Sequence, residues 1–449
     1  MSRPQVIDDQ DRERVHDRVA AVDVAKDSGM VCTRTPHPSR PGSRRAAVWT
    51  VKARMNAIRA LGRQLRKDGI EIVTLESTSD YWRIWFFVLE ACGLAVQLVN
   101  AAQARNLPGR PKTDKLDAMW LARLTEMGLL RASFVPPKPI RDLRDYTRAR
   151  TRLIHERTRC WQRLEKLLEG ALVKLSSVAS KLTTLSAQDM IRAMIAGQRD
   201  PEVLAGLARR TMKNKHDALV EALDGMFDDH HGELAQLLLD QIAALDAKIA
   251  QLAARAAELT AAMPVTWGID ADGTTGPGAG AGPGAPVLDA VARLAEIPGL
   301  SPDLARTVIA ETGLDMSRFP TAAHLVSWAG LCPSARQSGS RSRAGKKGQG
   351  NGYLRGALGQ AAVNAARTAT FPGERYGRIA RRRGKAKAQV AVARSILVII
   401  WHLLADPAAR FTDLGPGYYQ ARLDTDRKLR NHIRQIQALG FTVTLTQAG

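Results

Sequence analysis

Four acidic residues in the first quarter of the chain have the types and spacing of a metal-binding site. Asp23 lies at the end of the apolar run Val19–Val24, and Glu76 ends a second apolar run. Each run is typical of a buried strand. Asp114 and Asp117 open a helix, where a spacing of three residues places both carboxylates on one face. Carboxylates suit Mg²⁺, and two such ions roughly 3.5–4 Å apart can promote phosphodiester displacement.

Each acid also has a purely structural interpretation. Asp114 follows Thr113 and could simply occupy a first helical turn, where carboxylates are favoured. Any acid taken alone is more often a cap or a solvated charge. Asp23 and Glu76 are harder to explain this way, because a carboxylate beside a buried strand is costly unless it is paired or metal-bound.

A second candidate group combines a serine with many cations. The segment from Gly330 to Arg355 is rich in glycine and serine, and between Arg336 and Arg394 the only acid is Glu374. A serine among arginines could attack a phosphate, although flexible contact with nucleic acid is the commoner role of such a loop. The cations predicted to contact nucleic acid, with salt-dependent affinity, are Arg336, Arg341, Arg343, Lys346, Lys347, Arg355, Arg381, Arg382 and Arg383.

The composition also points to a polyanionic partner. The 449 residues include 66 Lys and Arg against 44 Asp and Glu, a net charge of +22, which favours nucleic-acid binding. The four cysteines lack the spacing of a zinc site, so reduced cysteines in a cytoplasmic protein are expected. The chain opens on polar residues, and no signal peptide is predicted. The apolar run Ser395–Ala405 is too short to cross a bilayer and predicts a buried helix that satisfies His402.

The elements that must position these groups fall into two classes. Before the break at Pro136–Pro139 the pattern predicts a mixed α/β layer domain. Its predicted strands are 19–24, 29–34, 47–51, 71–76 and 94–99, and its predicted helices lie near 52–67, 80–92 and 113–128. Beyond the break the chain is mainly helical.

Within the helical part, apolar residues from Leu238 to Leu259 alternate spacings of four and three, as in a coiled coil. Leu153–Leu175 could be the antiparallel partner, in a bundle within one chain or in a dimer. Asp228–His231 is interpreted as a polar loop between these helices rather than a metal site. Leu294–Glu311 resembles a helix-hairpin-helix that presents backbone N–H groups to phosphate, with a plain αα-hairpin as the alternative, because Ser301 stands where a second glycine is usual.

The predicted organisation has six parts. A Gly/Pro-rich linker separates the helical region from the serine-bearing domain, and no role is predicted for the tail. The parts are a disordered N-terminus (1–15), the acid-bearing domain (16–140), the helical coiled-coil region (141–265), the linker (266–287), the serine-bearing domain (288–405) and the tail (406–449).

Several motifs resemble those of one protein family, the insertion-sequence 110 transposases. The segments Val22–Lys26, Leu75–Trp82 and Lys112–Ala118 are similar to the three motifs of its RuvC-like DEDD domain. Five further motifs are similar to its C-terminal transposase domain and follow in the family's order. They are Ile297–Gly299, Phe319–Pro320, Trp328–Leu331, Gln337–Gly339 and Tyr353–Arg355.

This resemblance implies an α/β plus α architecture: an RNase H-like (RuvC-like) mixed-sheet domain, a helical coiled-coil region and a mainly helical C-terminal domain. It implies a DNA transposase in which Asp23, Glu76, Asp114 and Asp117 bind Mg²⁺ or Mn²⁺. Ser338 would form a covalent phosphoserine link to DNA. The implied partners are element-end and target DNA, a structured noncoding bridge RNA that acts as the guide, and further copies of the chain, as a homodimer that assembles to a tetramer. No membrane partner is implied, and the expected location is the bacterial cytoplasm, at the nucleoid.

Some features depart from the family pattern. Ser77 and Ser79 replace the residues usual after the glutamate, and the spacing from Ser338 to Tyr353 is uncommon, so Ser340 remains a rival nucleophile. Two other functions remain open. One is a metal-dependent junction endonuclease without a covalent intermediate, and the other is a non-catalytic nucleic-acid-binding protein.

Overall fold

The structure, a computed structural model, describes residues 15–40, 42–77, 79–100, 113–263, 288–332, 335–338, 341–344, 350–421 and 425–445. For Ser77, Asp114, Gln420 and residues 335–338, 341–344 and 425–428 it describes the backbone alone. The predicted linker at 266–287, with Ser340, Lys346 and Lys347, lies outside the described residues, as does nearly all of the predicted N-terminal segment. The chain divides into two compact units, Met1–Val135 and Pro136–Gly449, and the finer six-part division stays a prediction.

The first unit is built around a mixed sheet. Its strands are β1 (Val19–Val24), β2 (Ser28–Pro36), β3 (Arg44–Lys52), β4 (Ile72–Ser77), β5 (Val96–Asn100) and β6 (Ala132–Ser133). The spatial order is β3-β2-β1-β4-β5-β6. Strand β1 is antiparallel to β2 and parallel to β4, and β5 continues the parallel part. The five predicted strands are confirmed, and the short β6 pairs with β5 at one edge.

Helices cover both faces of this sheet because successive strand residues point to opposite faces. They are α1 (Met55–Lys67), α2 (Trp82–Ala91) and α3 (Asp114–Glu126). On one face Val22 and Leu75 pack against Trp85 of α2. On the other face Ala21 packs against Leu121 of α3. This arrangement is the predicted RNase H-like fold.

The second unit begins with two long helices that enclose a group of shorter ones. In chain order the helices are α4 (Lys138–Gly170), α5 (Leu175–Val178), α6 (Leu185–Ile195), α7 (Pro201–Gly206), α8 (His216–Leu223) and α9 (Asp229–Ala261). Cys160 of α4 packs against Ile242 of α9, and Leu143 lies in one core with Ala256, so the two helices run antiparallel. Most of the predicted partner segment belongs to α4 and therefore packs against α9 within one chain. A coiled-coil dimer stays a prediction.

In the rest of the second unit, the described residues form mainly helices, with two short paired strands. Its elements are α10 (Ala290–Ala295), α11 (Pro302–Thr312), α12 (Ala322–Trp328), β7 (Ala335–Ser338), β8 (Arg341–Ala344), α13 (Gly352–Ala365), α14 (Phe371–Arg383), α15 (Lys385–Ala405), α16 (Tyr418–Ala421) and α17 (Thr425–Ala438). Helix α15 is central, since Ile396 and Ile400 are buried with Ile309 of α11 and Leu358 of α13.

Helix α15 corrects two predictions. It is longer than the apolar run Ser395–Ala405, and by length and composition alone it could cross a membrane, so the argument from a short run is wrong. Its buried face instead packs into the core of the second unit. His402 is exposed rather than buried and packs edge-on against Trp401.

The predicted polar loop at Asp228–His231 is also wrong, because these residues begin α9. Asp228 is the N-cap and accepts from the His231 backbone N–H at 3.0 Å, while the His231 ring returns to Asp228 in a capping box. Asp229 pairs with Arg199 at 2.9 Å. Polar residues of this kind satisfy the first N–H groups of a helix as well as they serve a loop.

Candidate active site

Two of the predicted acids are neighbours because of the sheet register. Val22 of β1 is partnered with Leu75 of β4 in the parallel ladder, and Asp23 and Glu76 are the residues that follow each. The two-residue period of a strand places Asp23 on the side of Ala21, and Ala21 packs against α3. Glu76 likewise shares a face with Thr74, which contacts α3. Both carboxylates therefore belong to the α3 side of the sheet.

Helix α3 brings the other two acids to this side. Thr113 is its N-cap and accepts from the Leu116 N–H at 3.4 Å, so Asp114 and Asp117 occupy its first turn. Asp117 is half-buried, and Glu76 is buried, with 5% of its surface exposed. For Asp114 the structure describes only the backbone, which places this residue at the start of α3. Asp114 therefore lies in a first helical turn, as its structural interpretation predicts, and this position is also compatible with a ligand role.

Polar contacts hold α3 against β4 close to Glu76. The Thr125 hydroxyl donates to the Leu121 carbonyl at 2.8 Å and is hydrogen-bonded to the Thr74 hydroxyl at 2.7 Å. Gln97 of β5 donates to the same Thr74 oxygen at 2.6 Å. Because Thr74 lies two residues before Glu76, these bonds fix the height of α3 relative to the acids.

A buried ion cluster that sequence reasoning missed holds the same C-terminal end of α3 against the sheet. Glu126, with a side chain 3% exposed, lies 2.7 Å from Arg34 of β2 and 2.6 Å from Arg44 of β3. The signal was present, because Glu126 follows the buried Leu124 and Thr125 in α3. A charged residue inside a buried helical segment requires a partner, but its two partners, Arg34 and Arg44, lie far away in the sequence on β2 and β3.

The donor set suits a hard divalent ion in chemistry and in the face it occupies. Carboxylate oxygens are the preferred ligands of Mg²⁺, and Asp23, Glu76 and Asp117 share one side of the sheet. Within the described side chains, however, His, Cys, Asp and Glu form no group of three or more close enough to hold a metal ion. The fold thus places the candidate ligands on one side without assembling a complete ligand cluster from the described atoms.

The serine-bearing segment contains a hairpin where a loop was expected. Strands β7 and β8 are antiparallel, with Ser338 partnered with Arg341 and Arg336 with Arg343. Ser338 is the last residue of β7. In an antiparallel pair, directly opposed positions share a face of the ribbon. The register therefore brings the positions of Ser338 and three predicted phosphate-binding arginines together.

Four further predicted cations lie on described helices that follow the hairpin. Arg355 is half-buried in the first turns of α13. Arg381, Arg382 and Arg383 are exposed in the last turn of α14, where cations are favoured by the helix dipole. The chain then turns at Gly384, with φ +85°, into α15. The predicted basic surface is therefore the corner between two helices.

The turn of the predicted helix-hairpin-helix is packed inside the second unit. Helices α10 and α11 are joined by this turn, where Gly299 has φ +87°. A Cβ at this glycine would lie 2.3 Å from the Ala361 carbonyl of α13, and Asn364 donates to the Gly299 carbonyl at 3.3 Å. Packing therefore requires the glycine, and both the helix-hairpin-helix and the plain αα-hairpin stay predictions.

Comparison with known proteins divides the chain in the same way as the motifs. A family model described as a transposase, the DEDD transposase model of IS110, matches residues 20–173. A second, described as transposase IS116/IS110/IS902 family, matches residues 291–377. The first range contains all four acids and the second contains Ser338. No curated protein matches this chain by sequence.

Among solved structures, the chain is similar to one titled "Thermus thermophilus RuvC structure". The sequence identity is 14%, and the alignment covers 26% of this chain and 99% of that chain, with a TM-score of 0.21. The strand order and the two layers of helices described above, rather than this likeness, establish the fold of the first unit.

Proposed function

Because this chain belongs to the IS110 family of DNA transposases, we propose that it cuts and rejoins DNA through a phosphoserine formed by Ser338. The observation that carries the proposal is the register that sets Asp23 beside Glu76 on the face covered by α3. A second observation supports it, since the hairpin register sets Ser338 opposite Arg341. The four acids belong to the first unit and Ser338 to the second.

The acids are assigned to a divalent ion. Asp23, Glu76, Asp114 and Asp117 would hold Mg²⁺ or Mn²⁺, which when bound would polarise the scissile phosphate and stabilise charge on its oxygens. The chain itself contributes the placement of α3, because the contact between Thr125 and Thr74 holds this helix on the side of the sheet where Asp23 and Glu76 lie.

The serine is assigned to strand exchange. Its Oγ forms a bond to phosphorus as the bond to the deoxyribose oxygen breaks, and that oxygen leaves with a proton as a hydroxyl. Arg336, Arg341 and Arg343 would stabilise the negative charge on the phosphorus oxygens. Since one phosphate ester replaces another, a hydroxyl of a new strand can reverse the step and release Ser338, which rejoins DNA without an external energy source.

The basic surface is assigned to the nucleic acids. The net charge of +22 and the exposed Arg381–Arg383 at the corner between α14 and α15 support contacts with element-end and target DNA and with a guiding bridge RNA. By its family resemblance the protein would act as a dimer that assembles to a tetramer in the bacterial cytoplasm. Assembly of this kind would make cleavage depend on the correct complex.

The deciding experiment is capture of a protein–DNA adduct that survives denaturation. Purified protein would be incubated with junction DNA of its element, flanking RNA and Mg²⁺, as wild type and as Ser338→Ala, with Ser340→Ala as the matched control. We expect an adduct from wild type and Ser340→Ala that requires RNA and is lost in Ser338→Ala. Cleavage without an adduct would favour the metal-dependent endonuclease, and loss in Ser340→Ala alone would move the nucleophile to Ser340.

A further inference from the structure

The second unit contains a fully buried carboxylate to which the reaction assigns no role. Glu311, at the end of α11, has a side chain with no exposed surface. Arg148 of α4 donates to both of its oxygens, at 2.7 and 2.8 Å. Arg144, one turn earlier, lies 3.5 Å from Glu311 and donates to the carbonyls of Ala310 and Glu311 at 2.8 and 2.9 Å. Two arginines thus bind one carboxylate and the end of its helix.

The third partner of Glu311 links it to the serine-bearing segment. Asn351 donates from Nδ2 to Glu311 at 2.6 Å, and its Oδ1 accepts from the Leu354 N–H at 3.1 Å as the N-cap of α13. Asn351 therefore divides its amide between helix capping and the buried carboxylate. It lies thirteen positions after Ser338 and begins the element that receives the chain from the β7–β8 hairpin.

The two ends of the serine-bearing segment, at Gly330 and Gly350, lie against each other. Gly330 ends the turn after α12 with φ +72°, and Gly350 has φ +47°. A Cβ at Gly350 would lie 2.5 Å from the Ala329 carbonyl and 3.0 Å from the Gly330 Cα. The backbone before Asn351 is thus in contact with the backbone at which the segment departs.

Helix α4 completes the arrangement. Beside its bonds to Glu311, the Arg148 guanidinium lies over the Tyr353 ring at 4.8 Å from the centroid, and Tyr353 is in the first turn of α13. The bond to Glu311 raises the pKa of Arg148, whereas burial lowers the pKa of Arg144. Arg148 thus contacts both the carboxylate and the helix that the carboxylate anchors, and α4 itself starts three residues after the acid-bearing unit ends.

We propose that Glu311 is a positioning residue for the transposition reaction: with Arg148 and Asn351 it anchors the start of α13 and thereby fixes the hairpin that carries Ser338. The inference rests on the proposed role of Ser338. The three side chains are called the Glu311 clamp. In this proposal the clamp acts through the start of α13 on the position of the hairpin, and not by binding DNA or the reacting atoms. A misplacement of about 1 Å can cost a reaction on the order of 10²-fold, so a loosened clamp should slow adduct formation without weakening DNA binding.

The test replaces the hydrogen bond between Asn351 and Glu311 with a repulsion between two carboxylates and keeps the helix cap. Asn351→Asp retains a capping oxygen for Leu354, since Asp and Asn are equally good N-caps, but it sets a carboxylate against Glu311. The charged groups around the pair are Arg144, Arg148 and Asp145 on α4; on α13, Tyr353 is the titratable neighbour. Two apposed carboxylates share a proton more readily as the pH falls, so this defect should be pH-dependent. Asn351→Ser, which keeps a cap and adds no charge, is the matched control.

Two readouts separate the clamp from the chemistry. Hydrogen exchange in residues 335–338 and 341–344 reports the hairpin directly, and the rate of adduct formation reports its consequence. At pH 8 we expect Asn351→Asp to exchange about tenfold faster in the hairpin and to form adduct 10- to 100-fold more slowly than wild type. The ratio of variant to wild-type rates should rise toward one near pH 5.5, whereas the ratio for Asn351→Ser should stay constant.

A milder variant covers the case in which Asn351→Asp fails to fold. Asn351→Ser keeps a capping oxygen but has no amide to donate to Glu311. Its hairpin should therefore exchange faster than that of wild type at every pH. Wild-type exchange and adduct rates in Asn351→Asp at pH 8, or in Asn351→Ser where Asn351→Asp does not fold, would overturn the inference. If wild type forms no adduct, the proposed role of Ser338 fails, and hydrogen exchange still decides whether the clamp holds the hairpin.

Discussion

The two units position their chemical groups by different physical means. Asp23 and Glu76 are set by the register of a six-stranded sheet with helices on both faces. Ser338 is set by a hairpin of two four-residue strands, whose return into α13 depends on the Glu311 clamp. An isolated two-stranded hairpin is marginally stable. The sheet therefore holds its carboxylates through many shared bonds, whereas the serine depends on a few buried polar contacts.

The buried glutamates of the two units sharpen this difference. Glu126 and Glu311 are each bound by two arginines. Glu126 joins α3 to strands whose positions are already fixed by ladder hydrogen bonds. Glu311 instead bonds to the residue that receives the chain from the hairpin. The same chemistry should thus act on stability in the first unit and on activity in the second.

The largest effect is expected when one carboxylate of the sheet loses its charge but keeps its position. Glu76→Gln keeps the size of the side chain and deletes a charge that metal binding needs, so strand cleavage should fall about 10³-fold while DNA binding persists. Asp80→Asn is the matched control, because Asp80 lies four residues away, is exposed and pairs with Arg83 on the surface. Equal activity of Glu76→Gln and wild type in a cleavage assay would remove the metal-site assignment.

The next prediction strains the base of the serine-bearing segment. Gly350→Ala requires a Cβ 2.5 Å from the Ala329 carbonyl at φ +47°, so the second unit should lose about 3 kcal/mol of unfolding free energy. Adduct formation should fall as well, because the strain lies beside Asn351. The control is Gly356→Ala in α13, where the added Cβ meets open space and helix propensity should increase stability by up to about 1 kcal/mol. Chemical denaturation of both variants measures the difference.

A third prediction separates stability from activity in the first unit. Glu126→Gln removes the buried charge shared by Arg34 and Arg44, and the unfolding free energy of the unit should fall by roughly 2–3 kcal/mol. The register that sets Asp23 beside Glu76 should survive, so cleavage per folded molecule should stay within about a factor of three of wild type. A cleavage loss as large as that of Glu76→Gln would mean that the ladder alone does not place the acids.

Sequence patterns predicted the parts that local physics determines. The strands and helices of the first unit follow from runs such as Val19–Val24, whose apolar residues fit a strand buried on both faces. Asp23, Glu76 and the helical pair at Asp114 and Asp117 could be proposed because those patterns also fix the ends of their elements.

The parts that escaped prediction depend on contacts between distant residues. Glu311 and Arg148 are 163 positions apart, and neither residue has a local pattern that names its partner. Glycine-rich segments are poor strand formers, so the sequence predicts a loop where Ser338 lies in a hairpin. The apolar run around His402 predicts an interior position, whereas one side of α15 faces solvent.

The smallest expected effect concerns the tail of the second unit and its pH dependence. Glu296 accepts from Arg410 at 2.7 Å and from the Phe411 N–H at 3.1 Å, and the bond from Arg410 lowers the pKa of Glu296 below its ordinary 4.5. A lowered folded-state pKa means that the contact stabilises fully above about pH 4.5 and is lost as the pH falls through the lower folded value. Because half of the Arg410 side chain is exposed, solvent screening should keep the contribution small. Glu296→Gln should therefore reduce the drop in melting temperature between pH 6 and pH 3.5. Arg293 also holds this segment, because it donates to the Leu403 and Asp406 carbonyls. An identical drop in both proteins would show that Arg293 anchors the segment without Glu296.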